Sequence, residues 1–341
     1  MCKHGTVKKS EFPQQGRRLL PHQHLSFDNI IAMEQHVFPH DESYRRYKHL
    51  DGSPSPDRFG FGRDETGNLT HECIVERLNV MLWKENTIYN YDQFITTAST
   101  SANAATNNAS AKTPPHHDPM RRVNPEWRSQ ITKWSYGVVD HFHMSRECVA
   151  VSMNIFDRFF ANEKEKASMN KVLLVSCAAL SIGIKQMEVN ELSLNALARF
   201  SRGKYTPAQI IDMEWKIVAS LDFYLNPPTV ISFVMHFILF LPHEINERDR
   251  NELVDFARFV TELSVADSFF VGNKLAPSVI AAAAIIISLQ RCTLSNSTLS
   301  TIIEMHFCDI ILEQIGIDAA DSRLKETLHR LQLLLKKNKR E

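Results

Sequence analysis

The chain has 341 residues, 39 Lys and Arg balanced by 39 Asp and Glu, and a hydrophobic share of 43%. That length predicts about two domains, and the charge balance excludes the long-range basic field that gathers nucleic acid or an anionic membrane. The six cysteines, at 2, 73, 148, 177, 292 and 308, are scattered without a C-x-x-C pair, which argues against structural zinc or a disulfide framework and fits a reducing compartment.

Six of the eleven glycines lie before residue 68, and Ser53-Pro54-Ser55-Pro56 and Gly60-Phe61-Gly62 fall in the same stretch. Residues 1–70 therefore read as a mostly irregular lead-in, and the first 30 residues lack the apolar run of a signal peptide. A helical segment is expected within 71–95, where Ile74, Leu78, Met81 and Leu82 recur at helical spacing. Residues 96–111 contain only Ala, Ser, Thr and Asn and lead into Thr113-Pro114-Pro115-His116-His117. Such a segment has too little apolar surface to offset its ordering entropy, so 96–125 is expected to be a flexible insert.

From 126 onward the pattern becomes one of consecutive amphipathic helices. Val172 to Lys185 (VLLVSCAALSIGIK) is apolar nearly all round, with small residues on several sides, as befits a helix wrapped by its neighbours. The best-signed helix start is Thr206-Pro207-Ala208-Gln209: a cap, a proline at the first helical position and the Gln of a capping box. Ile210, Ile211, Ile217, Val218 and Leu221 then line one face. Asn226-Pro227-Pro228 breaks the chain, and further helices are expected at roughly 229–240, 247–263, 278–290, 298–308 and 321–337. The longest apolar run, Val279 to Leu289, falls short of the roughly 20 residues that span a bilayer. Period-2 alternation with hairpin turns is absent. The expected fold is all-α: two tandem bundles joined near 226, with a partly disordered N-terminal region before them.

Some charges fall where apolar residues belong. Glu214 has Ile210, Ile211, Ile217 and Val218 at its helical neighbour positions. Asp157 sits in VAVSMNIFDRFFA, and Lys185 ends the apolar helix, where the dipole favours a cation. Removing one partner of a buried pair costs about 3–5 kcal/mol, so each of these must be satisfied internally or by another chain, or must snorkel outward.

In this setting the chain resembles the cyclin family over residues 128 to 228, with a looser continuation to about 316. RSQITKWSYGVVDHF is similar to the R-A-I-L-V-D-W-L opening of the cyclin box through Arg128, Ile131 and Trp134. Arg146 to Ala161 is similar to the helix bearing L-D-R-F-L, VLLVSCAALSIGIK to the central helix ending in A-S-K, and YTPAQIIDMEWKIVASLDFYLNPPT to the fifth helix and exit. The resemblance implies an N-terminal cyclin box at 126–227, a second cyclin fold at 228–320 and a basic amphipathic tail at 321–341. It implies a structural ion pair between Arg128 and Asp157, with Leu174 and Trp134 as core signature residues. It also implies that Lys185 and Glu214 point outward at one edge, where they bond backbone groups of a cyclin-dependent protein kinase. Phe156, Phe159, Ile182 and Phe223 frame that interface or the core beneath it. A regulatory subunit of the nucleus and cytoplasm follows, with no cofactor, no metal and no catalytic residues of its own.

Departures from the family fall on its docking groove for substrate or inhibitor peptides. Trp127 and Gln130 replace Met and Ile, and Lys133 and Gly137 replace two acids, which implies weak or altered peptide docking. Lys84-Glu85-Asn86 spells KEN, a candidate degron read by a ubiquitin ligase, or else a solvated turn. Ser53, Ser55 and Thr113 precede proline and are candidate kinase targets. Leu324, Leu328, Leu331 and Leu335, followed by Lys336-Lys337-Asn338-Lys339-Arg340, mark an amphipathic helix with a basic end suited to nuclear import or to compensating the helix dipole. His116-His117 has no matching ligands, and no P-loop, G-x-G-x-x-G, H-E-x-x-H or G-x-S-x-G is present. Two rival readings remain. A tandem-fold transcription factor calls for a basic face and a zinc ribbon, and a non-activating scaffold would be separated by a kinase assay.

Overall fold

The structure, a computed structural model, describes residues 71–89, 123–163, 167–190, 192–242, 245–271, 275–291 and 297–338. The lead-in, the Ala/Ser/Thr/Asn insert, His116-His117, Ser53, Ser55, Thr113, Lys339 and Arg340 lie outside these residues. Among the described residues the secondary structure is helical, with no strand. Helix α1 spans His71–Asn86. A first bundle follows, made of α2 (Pro125–His141), α3 (Glu147–Asn162), α4 (Met169–Met187), α5 (Leu194–Phe200) and α6 (Pro207–Ser220). A second bundle comprises α7 (Val230–Ile238), α8 (Glu247–Ala266), α9 (Pro277–Arg291), α10 (Ser297–Ile315) and α11 (Ser322–Asn338), with a 3-10 turn at Ser268–Phe270.

Local chemistry sets the helix starts. Asn124, Ser168, Ser193, Thr206, Thr229 and Asn246 each accept a backbone N–H from the first turn they precede, satisfying donors that a helix end otherwise leaves orphaned. Thr206 and Gln209 form the full reciprocal box. The sequence predicted no helix at 194–200. At seven residues α5 is shorter than two turns, too brief for a periodic pattern to register.

In the first bundle α4 is the axis, packed chiefly between α3 and α6. Twelve of its residues, including every position from 175 to 184, are buried. Gly183 allows the close crossing with α3, because a Cβ there would meet Ser152 Oγ and lie 2.7 Å from the Cys148 carbonyl oxygen. In the second bundle α9 plays the same part, with Ala281 to Ala284 fully buried and α7, α8, α10 and α11 around it. Small side chains let four helices approach one axis at native packing density.

Two end segments belong to this second core. Leu78 of α1 is fully buried in it, with Met81 and Leu82 packed against it, and α1 contacts α7. The segment read as a tail from 321 is α11, whose Leu324 and Leu331 are buried in that core and whose axis lies on α9. Each apolar stripe is thereby removed from water, at about 25 cal/mol per Å² of area covered.

Candidate partner-binding site

Helices α4 and α6 cross so that the last turn of one faces the middle of the other. Lys185 ends α4 and Glu214 sits centrally on α6, and Lys185 Nζ donates to both Glu214 oxygens at 2.9 and 2.8 Å. The Glu214 side chain is 12% exposed and the Lys185 side chain 36%. The two do share one rim, but the expectation that they stand open for another chain is corrected, because each already has the other as its partner. The reason is the desolvation of Glu214: a carboxylate so little exposed would be destabilising without a counter-charge, and α4 supplies one at its C-terminal end. Bonding capacity remains. The ammonium carries three donors, and each carboxylate oxygen accepts more than one hydrogen bond.

Around this pair α6 presents a row that water does not suit. Ile211 is 39% exposed, Trp215 65%, and Val218 half-buried at the next position of the same face. The row continues past the helix end through Phe223, 69% exposed, and Tyr224, 50% exposed. Asp222 and Phe223 have φ of 49° and 65°. Left-handed backbone in an aromatic residue is strained and persists only where surrounding bonds hold it. Those bonds are present: Phe223 N donates to Val218 O at 3.1 Å, and Arg158 Nη1 donates to Tyr224 O at 2.7 Å. The Arg158 guanidinium also lies 4.8 Å from the centre of the Tyr89 ring, and Tyr89 Oη accepts from Asn226 N. The exit of α6 is thus fixed from α3 and from the segment after α1. Of the four residues expected to frame an interface or its core, Phe156, Phe159 and Ile182 are buried in the core and only Phe223 faces outward. Trp215, Tyr224, Arg158 and Tyr89 were not singled out from the sequence. The one signal available was an unneeded Trp directly after Glu214.

Arg128 grips Asp157 with two bonds of 2.8 and 2.7 Å, both side chains being nearly inaccessible. Its third bond, Nη1 to Val265 O at 2.8 Å, reaches the second bundle. The ion pair is therefore also a tie between bundles. Leu174, expected inside the core, is half-buried instead and lines a groove of about 550 Å³ with Phe159, Tyr205, Met213 and Lys216, because it sits on the α4 flank that α6 leaves open. Trp134 is likewise half-buried. On the peptide-groove positions of α2, Lys133 is exposed, while Gln130 Oε1 is buried with no hydrogen-bond partner among the described residues.

Lys84-Glu85-Asn86 is the last turn of α1, with Asn86 exposed and Lys84 half-buried, so the expectation of a solvated turn is corrected at Glu85 alone. Glu85 is 6% exposed and bonds Ser278 at the start of α9. Burial pushes its carboxyl up to about 7, against the lowering effect of those bonds. Glu147, half-buried, has its carboxyl raised by desolvation as well, and it accepts the Thr229 hydroxyl where the second bundle begins.

Comparison with known proteins agrees with this architecture. The family model described as "Cyclin, N-terminal domain" matches residues 101–226, and the one described as "Cyclin, C-terminal domain" matches 228–341. The chain is 28% identical over 179 residues to G2/mitotic-specific cyclin-2 of Antirrhinum majus, covering 52% of this chain and 38% of that protein. It is 28% identical over 216 residues to Cyclin-O protein B of Xenopus laevis, covering 62% and 58%. The chain thus spans little more than half the length of these relatives at most. The X-ray structure of a viral cyclin from herpesvirus saimiri is similar with a TM-score of 0.50 and 15% identity, covering 64% of this chain and 87% of that one. At that identity the likeness speaks for the fold alone.

Proposed function

The chain belongs to the cyclin family, and from that premise we propose that it is the regulatory subunit of a cyclin-dependent serine/threonine protein kinase, which it binds and activates through the rim at Lys185 and Glu214 to control cell-cycle progression. The observation that carries this reading is the half-exposed charged pair on a helix that also exposes Ile211 and Trp215 and leads on to exposed Phe223 and Tyr224. Aromatic side chains on a braced backbone give large contact area with little entropy left to lose. A half-exposed Lys–Glu pair with spare donors and acceptors binds backbone groups without first having to be neutralised.

A protein kinase is active only when a Lys–Glu pair joins its sheet to a mobile helix and its activation loop is open. A rigid surface that binds this arrangement better than the inactive one shifts the population toward it by the difference in affinity. The α4–α6 face suits that role, since both helices are locked by a dry core and the exit of α6 is pinned by Arg158. Interfaces of regulatory assemblies bury on the order of 2,000–5,000 Å², more than a handful of side chains provides, so the contact extends beyond the pair and the exposed apolar residues of α6. On this reading the protein regulates catalysis without performing it. The altered α2 groove, with its exposed Lys133, weakens peptide docking, and the Lys336-Lys337 turn of α11 serves nuclear import.

The test is co-purification with a cyclin-dependent kinase. Replacing both Lys185 and Glu214 with Ala, or Trp215 and Phe223 with Ala, is expected to abolish it while circular dichroism stays helical. Unchanged binding by both double variants overturns the assignment of this face. A kinase assay on the purified pair separates an activator from a scaffold that binds without activating.

A further inference from the structure

The exit of α6 holds a conformation that its own sequence does not favour. Asp222 and Phe223 are consecutive left-handed residues, where a helix end ordinarily uses glycine. The carbonyls on either side of them are both gripped from α3: Asn162 Nδ2 donates to Ser220 O at 3.0 Å, and Arg158 Nη1 to Tyr224 O at 2.7 Å. The two donors are a helical turn apart and so share one face of α3. Arg158 is 1% exposed, and a guanidinium keeps its charge however deeply it is buried. The Tyr89 ring lies against it, and the Tyr89 hydroxyl accepts Asn226 N at 3.0 Å, so the segment that follows α1 closes the same clamp.

Glycine would end α6 without strain and without a buried cation. What strain and desolvation secure here is the direction of one side chain, Phe223, which stands 69% exposed beside the charged rim. On the partner reading of the α4–α6 face, we infer that Arg158 is a positioning residue for kinase binding. Too buried to touch the partner, it acts with Asn162 to hold Phe223 in its binding direction, and Tyr89 makes that hold depend on the segment after α1. Once the hold is lost, only the fraction of molecules that keeps the left-handed pair is competent to bind, and apparent affinity falls in the same proportion.

The test is calorimetry of the full chain with the kinase that co-purifies with it, joined to amide exchange of the unbound chain. Arg158→Met removes the donor without leaving a buried charge unpaired and is expected to weaken binding about tenfold, as an unfavoured backbone pair empties without its bonds. Arg158→Lys, which keeps a donor, is expected to recover part of that loss, and Tyr89→Leu to weaken binding severalfold from outside α3. In the unbound chain Arg158→Met is expected to speed exchange of the Phe223 amide, which Val218 O protects. The deciding comparison is a double-mutant cycle: Phe223→Ala weakens binding by itself, and Arg158→Met added to it is expected to cost nothing more. An equal loss on both backgrounds is a general loss of structure and overturns the positioning role. Unchanged affinity or unchanged Phe223 exchange in Arg158→Met overturns it too, while weakening by Phe223→Ala leaves the partner face standing. Binding unaffected by Phe223→Ala, or absent from the unaltered chain, overturns the partner face and the positioning role together.

Discussion

Glu85 shows how a single side chain can respond to proton concentration. Its carboxyl is raised from 4.5 to about 7 by burial, with the Ser278 bonds acting in the opposite sense. The charged and titratable groups lining the same cleft between the bundles are Tyr89, Arg128, Asp157 and Arg323. Because the folded value lies above the unfolded one, the contribution of Glu85 is fully present below about pH 4.5 and is lost as pH rises through 7. Hydrogen exchange over residues 78–86 is therefore expected to slow as pH falls from 8 to 6, after correction for intrinsic exchange, and Glu85→Gln to flatten that dependence. A dependence unchanged by Glu85→Gln would place the titrating group elsewhere. The sequence marked Glu85 only as part of a tripeptide, since nothing within α1 announces a partner 193 positions away. Lys185 and Glu214 were legible as misplaced charges because each interrupts an apolar pattern of its own helix. That they face one another depends on the angle at which α4 crosses α6, which no local pattern encodes.

At the scale of elements, the legible helices were those with both a period and a boundary. Thr206-Pro207 and Gln209 fixed the start of α6 because the cap is a local hydrogen-bond arrangement. The all-round apolarity of Val172 to Lys185 gave away the axial position of α4, and the small residues in it marked where neighbours come close. Gly183 is one such place. With Ser152 Oγ and the Cys148 carbonyl of α3 against it, Gly183→Ala forces the two helices apart and is expected to destabilise the chain by about 1–3 kcal/mol, despite the better helix propensity of alanine. A lowered midpoint of chemical denaturation with unchanged helical content of the folded state would support that account, and a raised midpoint would refute it. The half-exposure of Leu174 was not legible, because the apolar run looks the same on its covered and uncovered flanks.

Among the described residues, directed bonds join the two bundles. Arg128 holds Asp157 within the first bundle and the Val265 carbonyl of the second. Arg146 pairs with Glu262 of α8 at 3.1 Å and lies over the Tyr136 ring. Arg128→Ala leaves Asp157 buried without its counter-charge, so a loss of about 3–5 kcal/mol is expected. Its signature at this scale is a split in which the two bundles unfold in separate steps. A single cooperative transition of unchanged midpoint, seen by tryptophan fluorescence and by circular dichroism together, would show that Arg128 couples nothing. Tandem all-helical bundles could be read from helix periods and the Pro227-Pro228 break, whereas this coupling could not, since it is made by one guanidinium reaching across 137 positions.

The seat of α1 lies among residues that follow it by far more than a hundred positions. A ribosome therefore delivers this helix long before anything exists to receive it. Throughout that interval Leu78 has no shelter and the turn at Glu85 no α9 to hold it, so a newborn polypeptide differs from a mature one in what its leading end displays.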